Sequence, residues 1–550
     1  MGYVSLIGDN ISYILGVLIG VFAHRSAFIH GEWHTCAPEI LVSHTAIFVL
    51  LLGAKGYYHG TDIGHFVDSL VVVGYFYIAS LLTSIVIHRV FFHPLTKEGF
   101  QGPWLARVTK LWHVWKARKG KNHYLMAEIH EKYGDFVRTG PAEITVFRPE
   151  AFMAIDGPRT ECVKGEFYDL LWPSMGLILA RNKRIHSARR RDWKRGFTAK
   201  ALNEYAPKIL NHIDELDRCI EADARSENPS KMHDLLYWFG FDVMGEFVLN
   251  KPFYMLRDQK WHTIVTRLQR ALFMLGPFSC AAWILQVGTR VAPRIGIVRD
   301  WHDMIDWCRD QMRVRLEEGY GKQPTQDLTH YLMEEGSLKT HEERLSWLSG
   351  DSLLGIVAGS GPTAGALIFA LCNLVNHPQH IEILHEELTG VDVTDQKELS
   401  RLVHLNAIIN ETLRLSPPLL TGGARKTTGS GTTIAGTYIP PNTTIFAPLY
   451  IIFRREDCYE RATEFVPERW STRPDMIRNP NAFAVFGTGH HSCLGRAFAL
   501  HIMRYVLAKL VKKYRFRLAP GDNGKLAYDE MIDQFTTKAG SLSLCFELRE

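Results

Sequence analysis

One large soluble domain carried behind amino-terminal transmembrane helices is the architecture the sequence predicts, and three observations predict it. Three apolar stretches crowd the first 87 of 550 residues. From residue 105 onward no internal repeat, low-complexity tract or Gly/Ser/Pro linker divides the chain. The composition, 46% hydrophobic and 22% charged, supplies apolar material for one large core.

The apolar stretches differ in strength. Ser69–Ile87 is nineteen residues without a charge and is followed at once by His88 and Arg89. That length crosses the hydrocarbon layer, and the basic flank suits a cytoplasmic end. Val4–Ala23 is nearly as long but carries Asp9 and Asn10, and Ile40–Ala54 is shorter and contains His44. Three spans are expected, with one span as the alternative. No basic segment precedes the first stretch, which argues against a cleaved signal peptide. Residues 1–87 are thus expected to form the anchor, and residues 88–104 a stiff, non-helical hinge built on His93-Pro94 and Gly102-Pro103. Residues 105–550 then form the catalytic domain.

The formal charge of +5 suits an anionic membrane surface or an acidic protein partner. No basic stripe interleaved with aromatics appears, so nucleic acid is not an expected partner. The densest basic cluster, Arg189, Arg190, Arg191, Lys194 and Arg195, reads as a solvated helix face. Nine scattered cysteines without a C-x-x-C pair exclude a disulfide framework and a cysteine zinc site.

One cysteine stands in different company. The segment from Phe486 to Ala497 reads Phe-Gly-Thr-Gly-His-His-Ser-Cys-Leu-Gly-Arg-Ala. A thiolate that binds iron needs backbone N–H donors near its sulfur, and glycines let the chain turn sharply there. Phe486 can shield the sulfur from water. A helix that starts just after Cys493 aims its N–H groups and positive dipole at the thiolate. Phe486, Gly489, His491, Cys493 and Gly495 match the pattern F-x-x-G-x-[RH]-x-C-x-G, and the segment resembles the haem-binding loop of the cytochrome P-450 family.

Further segments carry the same resemblance in the family's order. Glu411-Thr-Leu-Arg414 lies on a helical pattern, and positions three apart share a face. Pro467-Glu468-Arg469-Trp470 follows, then the cysteine loop. The resemblance implies that Glu411, Arg414 and Arg469 form a buried charge triad beneath the haem. His186 and Arg190, four apart on one helix face, resemble the pair that meets haem propionates, and Arg425 resembles a third propionate contact. The long apolar helix Leu345–Val375 resembles the one that crosses the oxygen side of the haem. The family motif A-G-x-[D/E]-T-[T/S] is here Ala358-Gly359-Ser360-Gly361-Pro362-Thr363, with the acid and the first alcohol replaced.

The resemblance covers roughly residues 88–550. It implies a mainly α-helical, triangular fold with small peripheral β-sheets and haem b (iron protoporphyrin IX) as cofactor. Cys493 would be the metal ligand, with Phe486, Gly489, His491, Gly495, His186, Arg190, Arg425, Ala358 and Gly359 around the cofactor. Thr363 remains as the candidate catalytic hydroxyl. Ala358, Gly361 and Leu419 are expected on the oxygen side, and Leu171–Leu179 and Phe273–Val287 as substrate-access segments. The implied activity is a monooxygenase that oxidises an apolar small molecule, with electrons from NADPH-cytochrome P-450 reductase. The implied place is the endoplasmic reticulum membrane, with the catalytic domain facing the cytosol. The PERW segment and Pro-rich hinge look most like fungal enzymes of secondary metabolism. Gly361-Pro362 leaves a haem-dependent isomerase or dehydratase, or a non-oxygenating haem protein, as the alternative.

Overall fold

Apolar length without amphipathic interruption makes helices, and three of them form the amino-terminal region. A computed structural model describes residues 2–318, 326–333 and 340–549. The anchor helices are Gly2–Ala23, Ala37–Tyr57 and Asp62–Ile87, and each expected stretch lies inside one of them. Their pairing is polar at a few points and close at two glycines. The ring of Tyr13 meets Phe76 at 4.9 Å, and His24 Nδ1 lies 2.7 Å from Ser84 Oγ. Both numbers rise together, so the first and third helices run parallel. Gly16 and Gly20, a small-xxx-small pair, seat them: a methyl group on Gly16 would stand 2.6 Å from the Val73 carbonyl oxygen. The second helix runs antiparallel to the third, with His44 Nε2 3.0 Å from Tyr77 Oη and Lys55 3.1 Å from Asp68.

The hinge departs from the expectation. The third helix continues through a wider π turn, His88–Phe92, and the chain breaks only at His93, where φ is −64° and ψ is 142°. Proline disfavours the helical conformation in the residue before it and starts a helix well, here Pro94–Lys97. The hinge is therefore stiff but largely helical up to the break. Arg138, fully buried, ties it to the domain by donating to the Arg89 carbonyl (2.9 Å), the Pro141 carbonyl (2.6 Å) and Thr96 Oγ1 (2.7 Å).

The domain is mainly helical with small sheets, as the resemblance implies. Its largest sheet has five strands in the order Phe136–Gly140, Glu143–Val146, Thr444–Phe446, Arg425–Lys426, Val163–Lys164. The last two pair antiparallel, with Lys164 opposite Arg425 and Val163 opposite Lys426. The 36-residue helix His341–Asn376 is apolar enough to span a membrane, yet two-thirds of its most apolar window is buried within the protein; it is the core. Thr340 caps it by accepting from the Glu343 N–H at 3.1 Å. Helix Met232–Leu249 packs closely against it, because a Cβ on Gly240 would come within 2.8 Å of the Ser360 carbonyl oxygen.

A second core lies under the cysteine loop. Glu411 and Arg414 sit on helix Val403–Leu415, and Arg469 on the short turn Pro467–Trp470. Arg414 forks onto Glu411 at 2.8 and 2.9 Å, and Arg469 Nε reaches the same carboxylate at 3.0 and 3.1 Å. All three are fully buried. The desolvation of three charges is offset by dense hydrogen bonding, both oxygens of Glu411 accepting from several donors. Trp470 Nε1 and the Val466 N–H donate to Glu411, while Arg414 donates to the carbonyls of Phe453, Ala462 and Glu464.

Parallel first and third helices, with the second antiparallel to them, leave the amino terminus at the end of the bundle away from the catalytic domain. Reporter tags fused ahead of Met1 and at the carboxyl terminus are therefore expected on opposite faces of a membrane that the three helices span. Both tags on one face would contradict the pairing.

Candidate active site

The cysteine loop is closed by its own backbone. The Cys493 N–H donates to the Phe486 carbonyl at 2.7 Å. Gly495 is the N-cap of helix Arg496–Lys513, and a Cβ placed on it would lie 3.9 Å from Cys493 Sγ and 3.7 Å from the Phe197 ring. Burial pushes the Cys493 thiol up, while the N–H groups of Gly495 and Arg496 and the charges of Arg190 and Arg496 pull it down. The residue is accessible by area, yet desolvation dominates its chemistry. The guanidinium of Arg496 stands 5.5 Å over the Phe486 ring and closes that side.

Gly489 is required by the backbone it packs on. Its φ is +58°, a left-handed conformation, and a Cβ would collide with the Asp156 carbonyl oxygen. It lets the loop lie against residues 156–157.

Beside the loop the fold gathers cations. Asn182 caps helix Lys183–Arg195, whose i, i+4 face carries His186 and Arg190. Arg190 Nη2 donates to Ser492, to its carbonyl at 2.7 Å and its hydroxyl at 3.0 Å. The rings of His186 and His491 lie 4.5 Å apart. Arg425 donates to Asp156 at 2.5 Å and to Tyr168 Oη at 2.7 Å. His186, His491, Arg190 and Arg425 thus form one cluster with Cys493. Sequence reasoning missed its fifth member. Lys164 stands opposite Arg425, is 3% exposed and donates to the carbonyls of Leu177 and Ile178. A two-residue strand has no periodicity to read, and its partner lies far along the chain.

The electrostatics of the cluster are those of a positive hole. Burial, then the charges of Arg425 and Arg190, pull Lys164 down to about 7 despite Asp156. Burial and the same cations hold His186 down at about 3 and His491 at about 2. His491 Nδ1 is buried without a hydrogen-bond partner. Asp156 is the one acid pairing with the cluster among the described residues. A dianion placed here would relieve each of these costs, and the donors present fit the two propionates of a haem.

The basic helix is not a solvated face throughout. Arg189 is 2% exposed and pairs with Asp351 of the central helix at 2.6 Å.

The central helix offers a second accessible interior surface. Ala358 is exposed although its neighbours on this helix are mostly buried, Pro362 is half-buried, and a Cβ on Gly361 would meet nothing within 4 Å. Spacings of three and four put these on one face. Gly359 points elsewhere: a Cβ there would collide with Met244, so it serves helix packing. Thr363 is 7% exposed and sits about 100° round from Pro362. The helix runs unbroken across Pro362. Among the described residues, no hydrogen bond or ring contact joins Ala358, Gly359 or Thr363 to the cysteine loop.

Comparison with known proteins places this arrangement. A haem-thiolate fold is the class that loop, triad and central helix define together. The sequence model for cytochrome P450 matches residues 103–546, and the chain belongs to the cytochrome P450 family. Relatives are fungal monooxygenases. Cytochrome P450 monooxygenase phqL of Penicillium fellutanum is 34% identical over 558 residues, covering 98% of this chain and 96% of that one. Cytochrome P450 monooxygenase sthD of Phaeosphaeria nodorum is 35% identical over 479 residues, covering 86% and 98%. Tryprostatin B 6-hydroxylase of Aspergillus fumigatus is 31% identical over 530 residues, covering 94% and 93%. The crystal structure of the cytochrome P450DA heme domain shares the fold with a TM-score of 0.62 at 17% identity, over 78% of this chain and 94% of that one. The protein is accordingly a P450 monooxygenase that uses haem, a redox partner and a small-molecule substrate.

Lys164 gives a pH signature. Its folded pKa of about 7 lies below the roughly 10.4 of an unfolded lysine. The unfolded chain then binds more protons between those values, so stability of the cofactor-free protein is expected to rise as pH increases from about 7 to about 10. Denaturant unfolding of the cofactor-free chain across this range, with and without Lys164→Met, checks it. A variant whose slope equals that of the parent would contradict the assignment.

Proposed function

We propose that Cys493 is the axial ligand of haem b, and that His186, Arg190, Arg425, His491 and Lys164 hold its propionates. The observation that carries this reading is the buried cationic cluster, served by a single acid, beside a loop whose N–H groups converge on one sulfur. The enzyme oxidises an apolar small molecule in secondary-metabolite biosynthesis. Two electrons come from NADPH through NADPH-cytochrome P450 reductase. The three helices before His88 anchor it in the endoplasmic reticulum with residues 105–550 in the cytosol, the side on which a soluble reductase domain would meet it.

When bound, the haem supplies the oxygen activation. The chain's own residues do the rest. The N–H groups of Gly495 and Arg496 share charge with the sulfur and keep it a ligand, and Phe486 with Arg496 keeps water from it. The cations fix the orientation of the macrocycle through its carboxylates. Neutral His491, in place of the more usual arginine, contributes a hydrogen bond and no charge.

The face Ala358–Gly361–Pro362 bears on proton delivery. Pro362 has neither a side-chain donor nor an N–H, and Gly361 brings no acid. Thr363 is turned into the protein. The proton therefore comes from an ordered water or from the substrate's own polar group.

Two measurements check these statements. Cys493→Ala is expected to fold poorly or to lose the red-shifted ferrous carbonyl band; an unchanged carbonyl spectrum refutes the ligand. Thr363→Ala is expected to keep product formed per NADPH consumed within about twofold, since removing a packed hydroxyl that relays no proton forgoes none of the roughly 100-fold or more that a general acid contributes. Diversion of nearly all electrons to hydrogen peroxide at unchanged haem content would make Thr363 the relay.

A further inference from the structure

The connector between the first two anchor helices, residues 29–36, does not hang free in solvent. It folds on itself, with Trp33 Nε1 donating to the His30 carbonyl at 2.7 Å and its ring 5.4 Å from Phe28. It then docks on the catalytic domain. Both oxygens of Glu32 accept from Arg181, at 2.6 and 2.9 Å, and Lys426 Nζ lies 2.7 Å from the same carboxylate. His34 Nε2 lies 2.8 Å from Asp169 Oδ2, and Asp169 also accepts from Arg181. A bidentate fork between a half-buried carboxylate and a guanidinium is among the strongest pairings a protein makes.

Arg181 and Lys426 are not arbitrary partners. Arg181 Nε donates to the Lys164 carbonyl at 3.0 Å, and Lys426 directly follows Arg425. Lys164 and Arg425 stand opposite each other in the antiparallel pair, and Val163 stands opposite Lys426. Side chains alternate along a strand, so Lys164 and Arg425 share the face that looks into the cationic cluster, and Lys426 looks out of its back. Glu32 grips that back. A strand pair only two residues long has little ladder of its own to fix it.

Glu32, His34 and Asp169 carry metal-ligating groups within 4.8 Å of one another. Arg181 and Lys426 already pair with both of those carboxylates, and Lys426 also meets Glu166 at 3.5 Å, so fixed cations occupy the place an ion would take. The network is an ion-pair clamp.

We propose that Glu32 is a positioning residue for the haem-propionate cradle: through Arg181 and Lys426 it makes the membrane-anchor connector the back wall of the active site. The catalytic domain is completed by its own anchor and not merely tethered by it. The residue touches neither cofactor nor substrate. The proposal rests on reading the cluster of Lys164 and Arg425 as the propionate cradle, and two readouts separate the two ideas.

The experiment uses the full chain in phosphatidylcholine nanodiscs, as the parent, Glu32→Gln, and Glu39→Gln as a control. Glu39 pairs with Arg290 at the head of the second helix, away from the cradle strands. Hydrogen–deuterium exchange is followed at 162–169 and 425–427, with 365–375 of the central helix as internal reference. Transfer of haem to excess apomyoglobin is timed on the same samples. Glu32→Gln is expected to speed exchange at both cradle segments by about fivefold or more, the equivalent of losing roughly one modest interaction. The reference should not change, Glu39→Gln should match the parent, and haem transfer should quicken several-fold. Unchanged cradle exchange overturns the clamp. A rise that extends equally to the central helix also overturns it, since that is general destabilisation. Faster cradle exchange with unaltered haem transfer overturns the cradle reading, and the positioning role with it.

Discussion

Everything in this structure turns on holding positive charge in the interior where water cannot reach it. Lys164, Arg190 and Arg425 are held together beside the cysteine loop, and their burial, and then their mutual repulsion, depress the lysine and the two histidines. Such a cluster would push itself apart on flexible elements. It persists because each member is pinned: Arg190 to Ser492, Arg425 to Asp156 and Tyr168, Lys164 to the carbonyls of Leu177 and Ile178. A haem, with a soft metal for the sulfur and two carboxylates for the cations, matches the chemistry these pins preserve.

The pins themselves rest on packing that the cluster does not touch. The Glu411–Arg414–Arg469 triad fixes the segment that precedes the cysteine loop by filling every hydrogen-bonding site of one carboxylate. Gly489 allows the loop to lie on the backbone of residue 156, whose side chain holds Arg425. One residue thus joins loop geometry to cradle geometry. The central helix contributes through small residues on two sides, Gly359 toward Met244 and Gly361 toward open space.

Much of this was legible in the sequence where the signal was local or periodic. Nineteen uncharged residues mark the third anchor helix, the i, i+4 spacing pairs His186 with Arg190, and the spacing of glycines around Cys493 marks its loop. What was not legible is long-range or brief. Lys164 reaches the cluster through a strand too short for any pattern, and Glu32 meets Arg181 across a loop that reads as an ordinary connector. The neighbours that need the space at Gly489 and Gly359, the backbone of Asp156 and the side chain of Met244, were not legible either, because sequence shows that a side chain is absent and not what approaches it. The hinge stayed helical past His88 because proline acts on the residue before it and no earlier.

The anchor also changes what the domain boundary means. Every strong spanning stretch precedes His88, and within that region Glu32 and His34 reach across to Lys426 and Asp169. The central claim remains the sulfur of Cys493 on the iron. X-ray absorption at the iron edge of the purified ferric protein tests it most directly. The account predicts one sulfur in the first coordination shell that disappears in Cys493→Ser; a shell of nitrogen and oxygen alone in the parent protein would contradict it.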